Sequence, residues 1–309
     1  MGGMSSTKRQ KIPAAGPSGT LWVVATPIGN LSDFSDRAKE VLVQSDAILC
    51  EDTRRTSQLI AALKLPSKSL ERLDQHASDA KIAKILERLQ AGESFALVSD
   101  AGTPGVSDPG PRLVSRAVES GVSVVPIPGA SAVATLFSIA GVEETSFLFR
   151  GFFPKKGSER TEELRLASEC EITRVFIWFE SPNRIVEALE SVNECSNSLM
   201  GVDSRVFVVA AKEMTKIHEK YFHGDIETVL ESVRKEILTE GPKGEWIFLT
   251  KFPPIIKEDS KSSEWLKTLE CLLAAEVSTS VAVKLVSQYF GEQRNKIYQQ
   301  ALKILEKKS

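Results

Sequence analysis

The segment Val98-Ser-Asp-Ala-Gly-Thr-Pro-Gly-Val-Ser-Asp-Pro-Gly110 holds three Gly and two Pro within nine residues, mixed with Thr103, Ser107 and Asp108. Such a composition cannot continue as helix or strand. The apolar run Phe95-Ala-Leu-Val98 before it reads as a buried strand. The segment is therefore an ordered turn at the carboxyl end of a strand, where open α/β sheets place ligand sites. Its glycines let a ligand approach the backbone, and Asp100 can accept hydrogen bonds from hydroxyl groups or an ammonium. A plain surface loop is the alternative, and the density of Gly, Pro and short polar residues argues against it. Other strands end in the same manner, at Thr26-Pro-Ile-Gly-Asn30, Glu51-Asp-Thr-Arg-Arg55 and Pro128-Gly-Ala-Ser131. The first of these carries a single Gly, so the GxGxxG fingerprint of a dinucleotide site is absent.

The elements that position these turns follow from periodicity. Apolar runs at 20–25, 47–50, 95–98 and 122–127 predict buried strands. Between them, Ala38, Val41 and Leu42, then Leu59, Ile60 and Leu63, then Ile82, Ile85, Leu86 and Leu89 mark helix faces, and residues 113–119 and 132–140 give two more helices. Alternating strands and helices imply a parallel sheet covered on both faces. Phe147-Leu-Phe-Arg-Gly-Phe-Phe153 breaks the rhythm, and Pro154-Lys-Lys-Gly-Ser-Glu-Arg160 reads as a basic, flexible loop. Strands at 174–179, 205–211 and 246–250, with helices between them, make a second α/β layer of mixed strand directions. Residues 252–263 read as a linker, and helices near 264–275, 280–290 and 293–306 as a small helix-turn-helix-like bundle or a helical appendage. The expected divisions are a disordered tail over 1–18, α/β domains over 19–142 and 143–252, and a helical extension over 264–309.

Bulk properties are those of an ordinary globular chain of 309 residues: 42% apolar, 26% charged, net charge -2. No global basic excess marks a nucleic-acid binder, although a local basic patch suffices for phosphate contacts. Cys50, Cys170, Cys195 and Cys271 are dispersed without a CxxC, and His76, His218 and His223 are equally scattered, so no metal site and no disulfide framework is expected. A reducing cytoplasm fits this pattern. The N-terminal stretch has no apolar core of a secretory signal, and no apolar run approaches the ~20 residues that span a membrane.

The strand-end segments Thr26-Pro-Ile-Gly-Asn-Leu31, Cys50-Glu-Asp-Thr-Arg54, Leu97-Val-Ser-Asp-Ala-Gly-Thr-Pro104 and Pro126-Ile-Pro-Gly-Ala-Ser131 are followed in order by Phe179-Glu-Ser-Pro182, Lys212-Glu-Met-Thr-Lys216 and Lys243-Gly-Glu245. Together, over about residues 20 to 250, they resemble the tetrapyrrole-methylase superfamily, and within it the branch that methylates small-subunit ribosomal RNA. The resemblance implies two α/β domains with S-adenosylmethionine in the cleft between them, and homodimerisation. It also implies transfer of a methyl group to the ribose 2'-oxygen of a cytidine in the decoding region of 16S rRNA. Fold alone does not fix the substrate, because related enzymes methylate carbons of tetrapyrroles. A tetrapyrrole C-methyltransferase and a non-catalytic RNA-binding or ribosome-assembly protein are the competing readings. One departure is visible: where the family tends to show a His-Glu-His-Asn cluster, this chain reads Asp74-Gln-His-Ala77 and retains only His76.

Methyl transfer from a sulfonium is an in-line displacement that depends on positioning, with an acceptor for the proton of a weakly acidic hydroxyl. Candidate acceptors are Glu51, Asp52, Glu180 and Glu213, with His76 and Glu245 beside them. Each has a structural alternative: Glu51 or Asp52 can pair with Arg54 or Arg55, Glu180 can cap the following helix, and Glu213 can pair with Lys212 or Lys216. The expected cofactor contacts are Pro27 and Gly29, then Asp100, Ala101, Gly102, Thr103 and Pro104, then Gly129, Ala130 and Ser131, then Lys243, Gly244 and Glu245, with Phe179 and Ala210 as apolar walls. Arg54, Arg55, Lys155, Lys156, Arg160, Arg184 and Lys216 are the candidate phosphate contacts. Phe152 and Phe153 are candidate stacking surfaces for a splayed base. Ser107 to Gly110 is expected to shape the turn into the next helix.

Overall fold

The computed structural model describes residues 19–74, 77–106, 108, 110–198, 205–254, 260–275 and 277–306. The expected tail over 1–18, His76 and Ser107 lie outside the described residues. Two compact units are present, 1–253 and 254–309.

In the larger unit the first sheet contains β1 (Thr20–Val24), β2 (Ala47–Cys50), β3 (Ser69–Arg72), β4 (Phe95–Val98) and β5 (Ser123–Ile127). All pair in parallel in the order β3-β2-β4-β1-β5. Alternate residues of one strand face opposite sides, and both sides are buried here. Leu21, Leu49, Phe95 and Leu97 pack on α3 (Asp79–Gln90) and α4 (Gly110–Glu119). Trp22, Val24, Ile48 and Val98 pack on α1 (Asp36–Gln44) and α2 (Thr53–Ala62). This explains why β1, β2 and β4 read as unbroken apolar runs. Ser35, Asp52 and Ser78 cap helices α1, α2 and α3, each accepting a backbone N–H from the first turn.

The second sheet has the order β6-β7-β10-β8-β9, from β6 (Leu148–Phe152), β7 (Val175–Glu180), β8 (Phe207–Lys212), β9 (Lys220–Asp225) and β10 (Trp246–Lys251). Only β6 and β7 are parallel; the other pairs are antiparallel, the mixed directions expected. One face packs on α6 (Gly157–Glu169), α7 (Ile185–Ser198) and α8 (Ile226–Glu240). The other face packs on Val133, Leu136 and Ala140 at α5 (Ala132–Ile139) and its end. Helix α5 leaves the end of β5 in the first sheet and covers the second, so its N-terminus lies where the two sheets' loops meet.

Several expectations need correction. The strands β3, β6 and β9 were not anticipated. The segment expected to be a flexible basic loop runs directly into α6 at Gly157. The expected linker is shorter, because α9 (Ser260–Ala274) already begins at Ser260.

The smaller unit consists of α9, α10 (Thr279–Phe290) and α11 (Arg294–Glu306), packed around Trp265, Leu269, Val283, Val286, Ile297 and Ala301. Gly291, at φ 72°, ends α10 in the left-handed conformation that favours glycine.

Leu49 is fully buried in β2, between two other strands. Leu49→Ala is expected to lower unfolding free energy by about 2–5 kcal/mol, read by urea denaturation. A loss below about 1 kcal/mol would contradict close packing at this position.

Candidate functional site

The carboxyl ends of β1, β2 and β4 converge on one polar cluster. Thr26 is buried; its N–H donates to Gly102 O at 2.9 Å and Gly102 N–H donates back to Thr26 O at 3.1 Å. The Thr26 hydroxyl also reaches Ser99 O and Gly102 O, at 3.2 and 3.3 Å. Asp100 accepts the Asp52 N–H at 3.2 Å, and its other oxygen lies 3.3 Å from the Arg55 guanidinium. Thr103 donates to Ala130 O at 3.0 Å, joining this loop to the one after β5. Asp108 accepts N–H groups of Gly105 and Gly110 at 2.5 and 2.8 Å, the turn-shaping role expected of it.

The second sheet contributes a clamp of two loops. Glu213 N–H donates to Glu245 O at 2.9 Å, and Glu245 N–H donates to the Glu213 carboxylate at 2.8 Å. The Lys216 ammonium bridges Glu213 and Glu245 at 2.8 and 3.0 Å. Glu213 and Thr215 hold φ values of 53° and 67°, uncommon for non-glycine residues and strained for a β-branched one. Gly244 sits at φ 84°, and a Cβ there would fall 2.6 Å from Glu213 Cγ, so glycine is required.

Between these loops lies a cavity of about 380 Å³. Its polar wall holds Glu51, Ser99, Asp100, Thr103, Asp108, Ser131 and Glu245, and Glu180 and Ser181 also border it. Its apolar wall includes Ile28, Val133, Phe152, Phe179, Met214 and Ile247. Among the described residues, no Lys, Arg or His lines it. A pocket with carboxylates and no cation suits a cationic ligand with an apolar ring and disfavours a phosphate.

The four candidate proton acceptors separate by environment. Asp52 caps α2, and the Arg54 backbone N–H holds its carboxyl below the usual range. Burial raises Glu213, but the Lys216 ammonium and the Glu245 backbone N–H outweigh this and leave it lowered. Glu180 has a fully buried side chain, is raised by burial and is paired with Arg184 and the Ser181 N–H. Glu51 lines the cavity with no hydrogen-bond or ion-pair partner among the described residues; burial, then Asp100 and Asp108, push its carboxyl up.

Of the expected cofactor contacts, Asp100, Ala101, Gly102, Thr103, Ser131, Phe179, Gly244 and Glu245 line the cavity. Pro27 and Gly29 instead line a smaller neighbouring cavity. Pro104 is buried behind the loop near Gly110, and Gly129 packs on Ala25. Ala130 acts through its carbonyl on Thr103, and Lys243 is exposed and is not part of the cavity lining. Ala210 is corrected: it faces the α7–α8 side of the sheet, with a side chain fully enclosed in that core. Ile28, Val133, Met214 and Ile247 were missed, because isolated apolar residues beside a turn carry no sequence signal of a ligand wall.

Of the expected phosphate contacts, Arg54, Arg55, Lys155 and Lys156 are exposed. Arg160 is corrected: its side chain is buried, donating to Lys155 O at 2.9 Å and pairing with Glu187 at 2.5 Å. Arg184 and Lys216 are committed to Glu180 and to Glu213 with Glu245. Of the two phenylalanines, Phe152 is 60% exposed at the cavity, whereas Phe153 is buried core.

Residues 20–230 match the model of the tetrapyrrole (corrin/porphyrin) methylases, and residues 259–305 that of the RsmI C-terminal HTH domain. The chain is 36% identical over 294 residues to ribosomal RNA small subunit methyltransferase I of Haemophilus influenzae, covering 94% of this chain and 99% of that protein. It is likewise 36% identical over 294 residues to the protein of the same name in Escherichia coli O157:H7, covering 95% and 98%. Among solved structures, diphthine synthase superposes with a TM-score of 0.55 at 15% identity, covering 76% of this chain and 90% of that one, a likeness of fold.

The raised Glu51 carboxyl has a consequence for stability. The folded chain holds this proton more tightly than the unfolded chain, so its contribution is present at low pH and is lost as pH rises through the raised value. Glu51→Gln removes that loss. The melting temperature of the variant, relative to the parent, is expected to rise as the pH is raised from about 4, the ordinary carboxylate range; a difference that stays constant as the pH is raised would contradict the assignment.

Proposed function

This chain belongs to the tetrapyrrole methylase family, and from that premise we propose that it is an S-adenosylmethionine-dependent methyltransferase of small-subunit ribosomal RNA, acting on a ribose 2'-oxygen. The observation that carries the reading is the strand-end cavity, with its carboxylates, its apolar wall and, among the described residues, no lining cation.

The residues present fit the cofactor. Asp100, Glu245 and the backbone of Ala101 and Thr103 offer acceptors and donors for the ammonium, the ribose and the amino-acid carboxylate. Gly102, at φ 80°, already places a hypothetical Cβ 3.3 Å from Ile28, so the bare backbone leaves the approach open. Phe179, Met214 and Ile247 form a surface for an adenine ring. When bound, the cofactor supplies an electrophilic methyl group on a cationic sulfur.

The chain's own residues do the rest. Glu51, without a hydrogen-bond or ion-pair partner among the described residues, takes the hydroxyl proton. The cross-braced loops hold the reacting groups in line, and the water-poor apolar wall strengthens the attraction of carboxylates for positive charge. Arg54, Arg55, Lys155 and Lys156 are exposed on segments that also supply cavity residues, which supports their role as phosphate contacts. Phe152 at the rim offers an aromatic face to an unstacked base. The finer expectations belong to the same proposal: a decoding-region cytidine as the target, a homodimer as the working form and the cytoplasm as its location.

The test uses labelled S-adenosylmethionine and small ribosomal subunits that lack the modification. Label recovered as a 2'-O-methylnucleoside supports the reading; methylation of a tetrapyrrole with none on ribosomal RNA overturns it. Asp100→Ala is expected to weaken cofactor binding about 10- to 100-fold by calorimetry, the usual range for hydrogen bonds to a charged group. Lys155→Ala should leave that affinity unchanged, and equal losses in the two variants would contradict this division of labour.

A further inference from the structure

The smaller cavity, about 160 Å³, shares Ser99 and Asp100 with the first. Its other walls come from the loop after β1 and from α2. Thr26 lines the smaller cavity and Gly102 the larger, and their two mutual backbone hydrogen bonds make the partition between them. The Thr26 hydroxyl adds two further bonds across the same partition. The partition covers the Thr26–Gly102 side, and beside it Ser99 and Asp100 line both compartments.

Their chemistry differs. The larger has carboxylates and, among the described residues, no lining cation. The smaller has an apolar wall of Pro27, Leu31 and Leu59, and Arg55 at its edge. The Arg55 side chain is 66% exposed, and that of its neighbour Arg54 89%. A polyanion is repelled by the first compartment, whereas in the second Arg55 offsets Asp100 and leaves most of its side chain in water for a phosphate.

We propose that the smaller cavity is the acceptor subsite and takes one unstacked nucleotide of the RNA substrate. The ribose and base pack on Pro27, Leu31 and Leu59, and flanking phosphates meet Arg54 and Arg55. This rests on the methyltransferase reading above. It makes Asp100 the group common to donor and acceptor, tied on one side to the Asp52 N–H and on the other to Arg55. There the ribose oxygen bonds to the methyl carbon as the carbon–sulfur bond breaks. The electron pair stays on a neutral sulfur, and the hydroxyl proton passes to Glu51, the residue before Asp52.

Leu59→Trp fills the smaller cavity without touching the larger one. The full-length variant is compared with the parent in three measurements: S-adenosylhomocysteine affinity by calorimetry, retention of unmodified small subunits on filters, and methyl-transfer kinetics. The cofactor-product affinity should stay within about twofold, while subunit binding weakens and KM rises by about tenfold or more. Unchanged subunit binding and KM, or a matching loss of S-adenosylhomocysteine affinity, overturns the subsite. Leu31→Trp, at a surface position on the opposite wall, should give the same split even if Leu59→Trp fails to fold. Parent protein that binds the cofactor product but methylates no ribosomal RNA overturns the functional reading. Filter retention still tests the subsite in that case, because it requires no turnover.

Discussion

The paired backbone hydrogen bonds between Thr26 and Gly102 are the constraint on which the site depends. They join loops that follow β1 and β4, 76 residues apart in sequence, at the carboxyl edge of the first sheet. Two adjacent parallel strands ordinarily diverge into separate loops there. Here the loops are paired, and Gly102 occupies a positive φ so that its N–H and C=O both face Thr26. Thr26 in turn spends its hydroxyl on the same partners, so no buried polar group of this pairing is left unsatisfied. With the partition fixed, Asp100 is presented between two compartments, and the Asp108 turn can lead into α4 without disturbing it.

Electrostatics then divides the labour. Carboxylates gather inside, where partial burial and mutual repulsion push Glu51 up; a cationic ligand would relieve both effects. The arginines stay outside, with long side chains in water, where they can meet phosphates without entering the cavity. The clamp from the second sheet follows a related logic. Lys216 pairs with Glu245 of the pocket wall, and it is consumed by Glu213 and Glu245. Its charge is neutralised before it can oppose a sulfonium, and the strained backbone at Glu213 and Thr215 is held in place by these bonds.

Much of this was legible in the sequence because buried parallel strands announce themselves as apolar runs and their ends as clusters of Gly, Pro and short polar residues. The strands that escaped notice lie at sheet edges. Ser69–Arg72 reads Ser-Leu-Glu-Arg, and Lys220–Asp225 mixes charge, aromatics and a glycine; neither is apolar enough, because each is only partly buried. Leu148–Phe152 carries Arg150 and a positive-φ Gly151 at a register shift, which disguises it as a loop. Helix α6 is charged around most of its circumference, and the burial of Arg160 is decided by Glu187, 27 residues away, which no local pattern reveals. At the site, residue types identified the polar wall but not its direction. Ala210 and Ala211 are indistinguishable in sequence, and one step of β-strand alternation puts them on opposite faces of the sheet.

The central claim is that the carboxylate-lined larger compartment at the strand ends is the methyl-donor site. A crystal structure of the chain with S-adenosylhomocysteine tests it most directly. The account predicts the product in the larger cavity, with polar groups against Asp100 and the backbone of Ala101 and Thr103 and the adenine against Phe179 and Ile247. Product seated against Arg55 and Leu59 in the smaller cavity, or away from both, would contradict it.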